Sequence, residues 1–221
     1  MTDRTDVLTI DVVSDVVCPW CYLGEKRLDA ALAEELQPVA VRWRPYQLDP
    51  TIPAGGLDRA DYMERKFGRD GRLKSVHDHL TRLGAECGIS FAFDRIERAP
   101  NTLDAHWLIR WSASAGAQRV VVDRLFRAYF VEGRDVGDRA VLVEIAAESG
   151  LDEAVVDRLL AEGADVDAVA REIAEAQEMG ITGVPFFIFA RRFAVPGAHD
   201  VAVLRRAMRQ ARAGMNGTPP A

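Results

Sequence analysis

Apolar and polar residues alternate over Leu8-Thr9-Ile10-Asp11-Val12-Val13, and β-branched side chains dominate the run, which predicts a first strand. From Glu25 to Leu36 the apolar positions take helical spacing. Alternation returns over Val39–Tyr46, where Val41 and Trp43 oppose Arg42 and Arg44. Pro45 has no N–H to give a ladder, so this second strand belongs on a sheet edge. Strand, helix, strand in that order is a βαβ unit, with parallel strands and a right-handed crossover.

Leu48 to Gly56 carries Pro50, Pro53, Gly55 and Gly56 and reads as a loop and a boundary. From there to Gly180 the pattern is helical. Leu57–Phe67 and Gly71–Cys87 are two mostly polar helices, and Ile89–Phe93 suits a short extended piece. Asn101 caps Thr102–Ser114, and Ala117–Phe130 shows a stripe of Val121, Val122, Leu125, Phe126 and Tyr129. Asp138 caps Arg139–Ser149. Glu153–Ala161 packs Val155, Val156, Leu159 and Leu160, and Asp165–Met179 packs Val166, Val169, Ala170 and Ile173 before Gly180. Strand pattern resumes at Pro185–Phe189, turns at Ala190-Arg191-Arg192 and returns at Phe193–Val195. Val201, Leu204, Met208 and Ala211 mark a last helix. The expected class is α/β. Residues 1–56 and 181–214 form a small sheet domain. Residues 57–180 form an all-helical insertion whose last helix packs back on the sheet, and 215–221 form a flexible tail.

At 221 residues, 48% hydrophobic, 28% charged and with a net charge of −6, the chain has material for a real core and no basic surplus for nucleic acid. The polar start Met1–Asp6 and the acids Asp11 and Asp15 do not make a signal peptide, and no run is long and apolar enough to span a membrane. Three cysteines do not make a disulfide framework. A cytoplasmic enzyme with a working dithiol fits this usage.

That dithiol is Cys18-Pro19-Trp20-Cys21, set between the first strand and its helix. With Cys18 as N-cap and Pro19 as first helical residue, the proline gives up an N–H that would have had no partner. The Cys18 sulfur then faces the positive end of the helix, which favours a thiolate, and Cys21 follows one turn along the same face. A zinc site would need two further ligands; Cys87 and four isolated histidines offer no second metal-spaced pair, so no metal is expected. Two merely buried apolar cysteines are the bland alternative. Gly183-Val184-Pro185, a proline opening a strand after a turn, is a candidate cis X-Pro bond or a trans proline starting an edge strand.

Ser14-Asp15-Val16-Val17-Cys18-Pro19-Trp20-Cys21, Trp43-Arg44-Pro45-Tyr46-Gln47-Leu48-Asp49-Pro50, Asn101-Thr102-Leu103-Asp104-Ala105-His106 and Gly183-Val184-Pro185-Phe186-Phe187 occur in this order over nearly the whole chain. Together they resemble the thioredoxin superfamily, and within it the DsbA-like family with a helical insertion, closest to its cytoplasmic FrnE-like branch. The resemblance implies a thioredoxin-like fold and a thiol–disulfide oxidoreductase. It implies Cys18 as nucleophile, Cys21 as resolving thiol, and Pro185 as a cis-proline facing the pair. Val184 would hold an extended substrate through its backbone. The implied cofactor is none beyond the two sulfurs, with glutathione as a co-substrate, and the implied partners are protein or small-molecule thiols and disulfides. The chain departs from exported members in having Trp20 rather than a histidine between the cysteines; an indole supplies apolar surface and one neutral N–H, not a charge.

Further candidates are Asp15 as proton acceptor for Cys21, against a loop residue bonding backbone, and Asn101, His106 and Gly183 as substrate contacts. His106 shares a stripe with Thr102, Ala105 and Ile109, where a packed histidine is the bland alternative. His77 and His79, two apart, read as a surface pair, Cys87 as a small helix-end residue, and Trp107, Trp111, Phe126 and Phe130 as core. Two other functions share the scaffold. Kappa-class glutathione transferases and 2-hydroxychromene-2-carboxylate isomerases resemble the insertion, but typically carry serine at the position of Cys18 and do not need Cys21. A redox-switched binding module is the non-enzymatic alternative.

Overall fold

The computed structural model describes residues 7–69 and 71–215. In chain order the elements are β1 (Leu8–Ser14), α1 (Pro19–Ala33), β2 (Val39–Pro45), β3 (Leu57–Asp58), α2 (Arg59–Phe67), α3 (Arg72–Glu86), a 3₁₀ turn at Phe93–Arg95, β4 (Arg98–Ala99), α4 (Leu103–Ser114), α5 (Gln118–Phe130), α6 (Arg139–Glu148), α7 (Glu153–Glu162), α8 (Val166–Glu178), β5 (Phe186–Phe189), β6 (Phe193–Pro196) and α9 (Val201–Met215). The main sheet has the order β2-β1-β5-β6. β1 pairs parallel with β2 and antiparallel with β5, and β5 pairs antiparallel with β6. The βαβ unit and the edge position of β2 follow from the sequence as expected. The outer edge of β2 is covered by one side chain: the Gln118 amide accepts from Trp43 N–H at 2.9 Å and donates to the Trp43 carbonyl at 3.3 Å.

Strand alternation sorts the layers. Leu8, Ile10, Val12, Phe187 and Phe189 join the main core with Leu23, Leu204 and Met208 from α1 and α9. Val13, Phe186 and Ile188 turn to the other side and meet Ala176 and Ile181 at the end of α8. The same core runs on into α4, α5 and α6 through Leu108, Phe126 and Leu142. Tyr22 of α1 stacks on Phe126 of α5 at 5.1 Å, so the packing between sheet and helices is continuous.

Several local expectations shift. α1 stops at Ala33, and Leu36 is fully exposed, because Pro38 bars a helical conformation at Gln37. α2 begins at Arg59, not Leu57: the Asp58 side chain accepts from Asp61 N–H at 2.9 Å and caps the helix. Leu57–Asp58 instead pairs with Arg98–Ala99, strands too short to carry a periodic signal. Ile89–Phe93 is not a strand: it pairs with no ladder and runs into the 3₁₀ turn at Phe93, with Phe91 and Phe93 stacked at 4.9 Å. Thr102, not Asn101, is the N-cap residue of α4, although Asn101 Oδ1 still accepts from Leu103 N–H at 3.0 Å. Val155 and Ala170 face solvent while Val156 and Val169 are buried. Met215 ends α9 and is no part of a tail; the rest of the stretch expected to be a tail, 216–221, lies outside the described residues, as does Met1–Asp6.

One glycine sets the distance between α1 and the β5 loop. A Cβ at Gly24 would sit 3.0 Å from Pro185 Cγ and 3.2 Å from Phe187 Cζ. In an open helix Gly→Ala gains up to about 1 kcal/mol. Here the added carbon meets a rigid ring, so Gly24→Ala is expected to lose about 1–3 kcal/mol in urea unfolding, the cost of overpacking. A stabilised variant would show that the contact is slack.

Candidate active site

β1 delivers Asp15 to the foot of α1, where Cys18 N–H donates to the Asp15 carbonyl at 3.0 Å and closes the turn. Cys18 is extended (φ −93°, ψ 111°), occupies the N-cap, and is followed by Pro19 at the first helical position. Its carbonyl takes the first helical bonds, from Cys21 N–H at 3.0 Å and Tyr22 N–H at 3.3 Å. Its side chain makes no capping bond, and Sγ points across to the Val184 carbonyl at 3.5 Å. The Val184–Pro185 peptide is cis, and Cys18 and Cys21 are both free thiols.

Cys18 is only 3% exposed, yet it borders a cavity of about 560 Å³. The cavity wall opposite is made by α2 and α3, with Tyr62, Met63, Leu73 and His77, and its floor includes Tyr129 and Phe130. Leu48, Phe67 and Val76 form an apolar rim, each at least 40% exposed. Cys21, 1% exposed, does not reach the cavity.

The candidates from sequence separate into two groups. Asp15, Pro19, Trp20, Gly183 and Val184 line the cavity with Cys18, and Pro185 lies behind them against α1. Asn101 and His106 do not line it. Asn101 braces the Leu48–Gly56 loop: its amide donates to the Ile52 carbonyl at 2.7 Å and accepts from Gln47 at 3.2 Å. His106 is 2% exposed and supports Asp15 from behind, Nε2 to Oδ1 at 3.3 Å; the other Asp15 oxygen accepts from Leu48 N–H at 2.8 Å. The expected surface pair divides too. His79 is exposed beside Trp20, but His77 stacks on Phe93 at 4.0 Å and 5° and lines the cavity.

The description "DSBA-like thioredoxin domain" matches residues 9–209. The chain belongs to this family. A probable DsbA oxidoreductase from Streptomyces coelicolor is 31% identical, with a TM-score of 0.84 over 92% of this chain and 89% of its own. Two further solved structures share the fold. A 2-hydroxychromene-2-carboxylate isomerase is 18% identical, with a TM-score of 0.71 over 96% of this chain and 100% of its own. The cytosolic disulfide reductase DsbM from Pseudomonas aeruginosa, solved with GSH, is 24% identical, with a TM-score of 0.60 over 95% of this chain and 98% of its own. The range of neighbours is consistent with the FrnE-like branch.

In this DSBA-like chain the residues that sequence reasoning missed are those on the insertion side: Arg59, Tyr62, His77 and Tyr129, together with Gly24. No motif spacing marks them, because they are spread over four helices: Gly24 on α1, Arg59 and Tyr62 on α2, His77 on α3 and Tyr129 on α5. Arg59 alone left a local trace, a cation in the first turn of a helix, where the macrodipole disfavours it.

Burial pushes the Cys21 thiol well above its usual range, and the neighbouring Cys18 sulfur adds to the shift. Burial also shifts His77 down, with the Arg59 charge as the next cause.

Glu25, one turn beyond Cys21, is 1% exposed; neither carboxylate oxygen is well hydrogen-bonded, although Oε2 lies 3.4 Å from Lys26 Nζ, whose charge partly opposes the effect of burial. Burial, then the negative charge of Asp29, pushes it up to about 8 from an ordinary 4.5. A raised carboxyl favours the fold while it is protonated. The contribution is therefore complete below pH 4.5 and is lost as pH rises through about 8. Glu25→Gln removes that loss. Its stability relative to the native protein is expected to improve by about 2–4 kcal/mol between pH 5 and pH 8. Urea unfolding at both pH values measures the difference, and parallel behaviour would refute the assignment.

Proposed function

We propose that this chain is a thiol–disulfide oxidoreductase in which Cys18 is the nucleophile and Cys21 the resolving thiol. The observation that carries the reading is the position of Cys18 Sγ: at the N-cap of α1, opposite the Val184 carbonyl, on the wall of an open cavity. In the reducing direction the Cys18 thiolate attacks one sulfur of a substrate disulfide, forming a mixed disulfide and releasing the first thiolate. Cys21, once deprotonated, attacks Cys18 Sγ, forming the internal disulfide and releasing the second thiolate. Two electrons pass from the protein dithiol to the substrate. The reverse sequence oxidises a dithiol.

Asp15 is our candidate for the proton acceptor of Cys21. Its carboxylate is buried next to the cysteine turn and is positioned by His106. The exposed edges of Trp20 and Val184 would contact the substrate. No described helix is long and apolar enough to cross a membrane. We place the reaction in the cytoplasm, with glutathione, the ligand of the DsbM structure, as the recycling thiol to test first.

A second reading, a glutathione-dependent isomerase or transferase, draws support from the size and apolar lining of the cavity, which suit a small organic substrate. The two differ in their need for Cys21. Under the oxidoreductase reading, Cys18→Ser lowers disulfide reduction by at least about 10³-fold, the scale for loss of a nucleophile. Cys21→Ala stops turnover and accumulates the mixed disulfide, seen by mass spectrometry. If Cys21→Ala instead retains full activity toward a small electrophile with glutathione, the second reading replaces the first.

A further inference from the structure

Arg59 is 8% exposed and lines the same cavity as Cys18. Its Nε–H has no hydrogen-bond partner, and among the described residues no carboxylate lies within ion-pair distance of its guanidinium. A buried guanidinium without an acid costs stability, since a cation removed from water needs compensation. Its place in the first turn of α2 adds to that cost, because the positive helix end opposes a cation. The neighbouring acids do not answer it. Asp15 is engaged by Leu48 N–H and His106, and Asp49 by Thr51 and the Tyr62 hydroxyl. The neutral Tyr129 hydroxyl stands beside the guanidinium. Two other cations line the cavity, but both are exposed to water: Lys66, whose Nζ donates to the Tyr62 hydroxyl at 2.7 Å, and Arg72. Arg59 is the buried one, close to the aromatic floor of Tyr129 and Phe130.

From this we infer that Arg59 is the anion-reading residue of the cavity, and that the substrate is a small disulfide or thiol with an apolar body and a carboxylate. Such a molecule suits every part of the site. Its sulfur meets Cys18, its apolar body lies against Phe93, Phe130 and Tyr62, and its carboxylate pairs with the planar donor face of Arg59. The assignment names a substrate class for the oxidoreductase proposed above and rests on that reading.

Two aromatic disulfides separate charge from reactivity: 5,5′-dithiobis(2-nitrobenzoate), with a carboxylate on each ring, and 4,4′-dithiodipyridine, with none. The pre-reduced protein, with Cys87→Ser removing the outlying thiol, reacts with each in a single turnover. Two aromatic thiols are released as the Cys18–Cys21 disulfide forms. Arg59→Gln is expected to slow the carboxylate disulfide about tenfold, the loss of one charge-assisted pair, and to leave the dipyridyl disulfide within about twofold; Arg59→Lys recovers part of the loss. Equal slowing of both disulfides, or of neither, would overturn the role of Arg59. A second measurement does not depend on exchange. In Cys18→Ser protein, quenching of Trp20 fluorescence should report binding of 4-(methylthio)benzoate about tenfold tighter than of neutral thioanisole, and Arg59→Gln should abolish the preference. That preference with no exchange on either disulfide refutes the oxidoreductase reading and leaves Arg59 standing as an anion site. Exchange without the preference refutes Arg59 and leaves the oxidoreductase.

Discussion

Everything at the site depends on how closely the start of α1 approaches the loop that leads into β5. That approach is possible because Gly24 presents no side chain to Pro185 and Phe187. With the helix seated there, its N-cap brings Cys18 Sγ to the Val184 carbonyl although the two residues are 166 positions apart. A sulfur at a helix N-terminus is a local matter; a sulfur held against a fixed strip of backbone is not. The contact needs the sheet and α1 packed in register to persist.

The helices between the two parts of the sheet do more than fill space. α2 and α3 are largely polar on their outer faces, but they turn Met63, Leu73 and His77 inward over Cys18. They convert a shallow groove into a cavity with a floor of Tyr129 and Phe130 from α5. The polar groups at its base are distributed unevenly. Asn101, Gln47, Asp15 and His106 form a connected set that fixes the Leu48–Gly56 loop and the cysteine turn, and their hydrogen bonds are spent within the protein. Arg59, by contrast, is buried without an acid. Buried networks that are satisfied rigidify, whereas a buried charge without an opposite charge costs stability.

The sequence was most legible where the signal is local. The strands flanking α1, the N-cap cysteine with Pro19 behind it, the stripe of α5 and the Asp138 cap all follow from periodicity and capping, and all are present. It misplaced what depends on long-range packing. Asn101 and His106 lie in a segment that resembles the family's, which suggested substrate contact; the fold uses them as braces behind the site. His77 looked like half of a surface pair, because helical spacing tells which residues share a face but not what that face meets.

Residue order alone thus determined the α/β class, the parallel pair at the start of the sheet, the edge position of β2 and the turn with Cys18 at the helix N-cap, because each is set by neighbours a few positions apart. Only the tertiary structure decided that Cys18 opens on a cavity while Cys21 is sealed, that His106 stands behind Asp15, and that Arg59 is buried there without an acid. Those facts come from segments far apart in the chain converging on one volume, and no spacing along a single stretch encodes which side chains will share it.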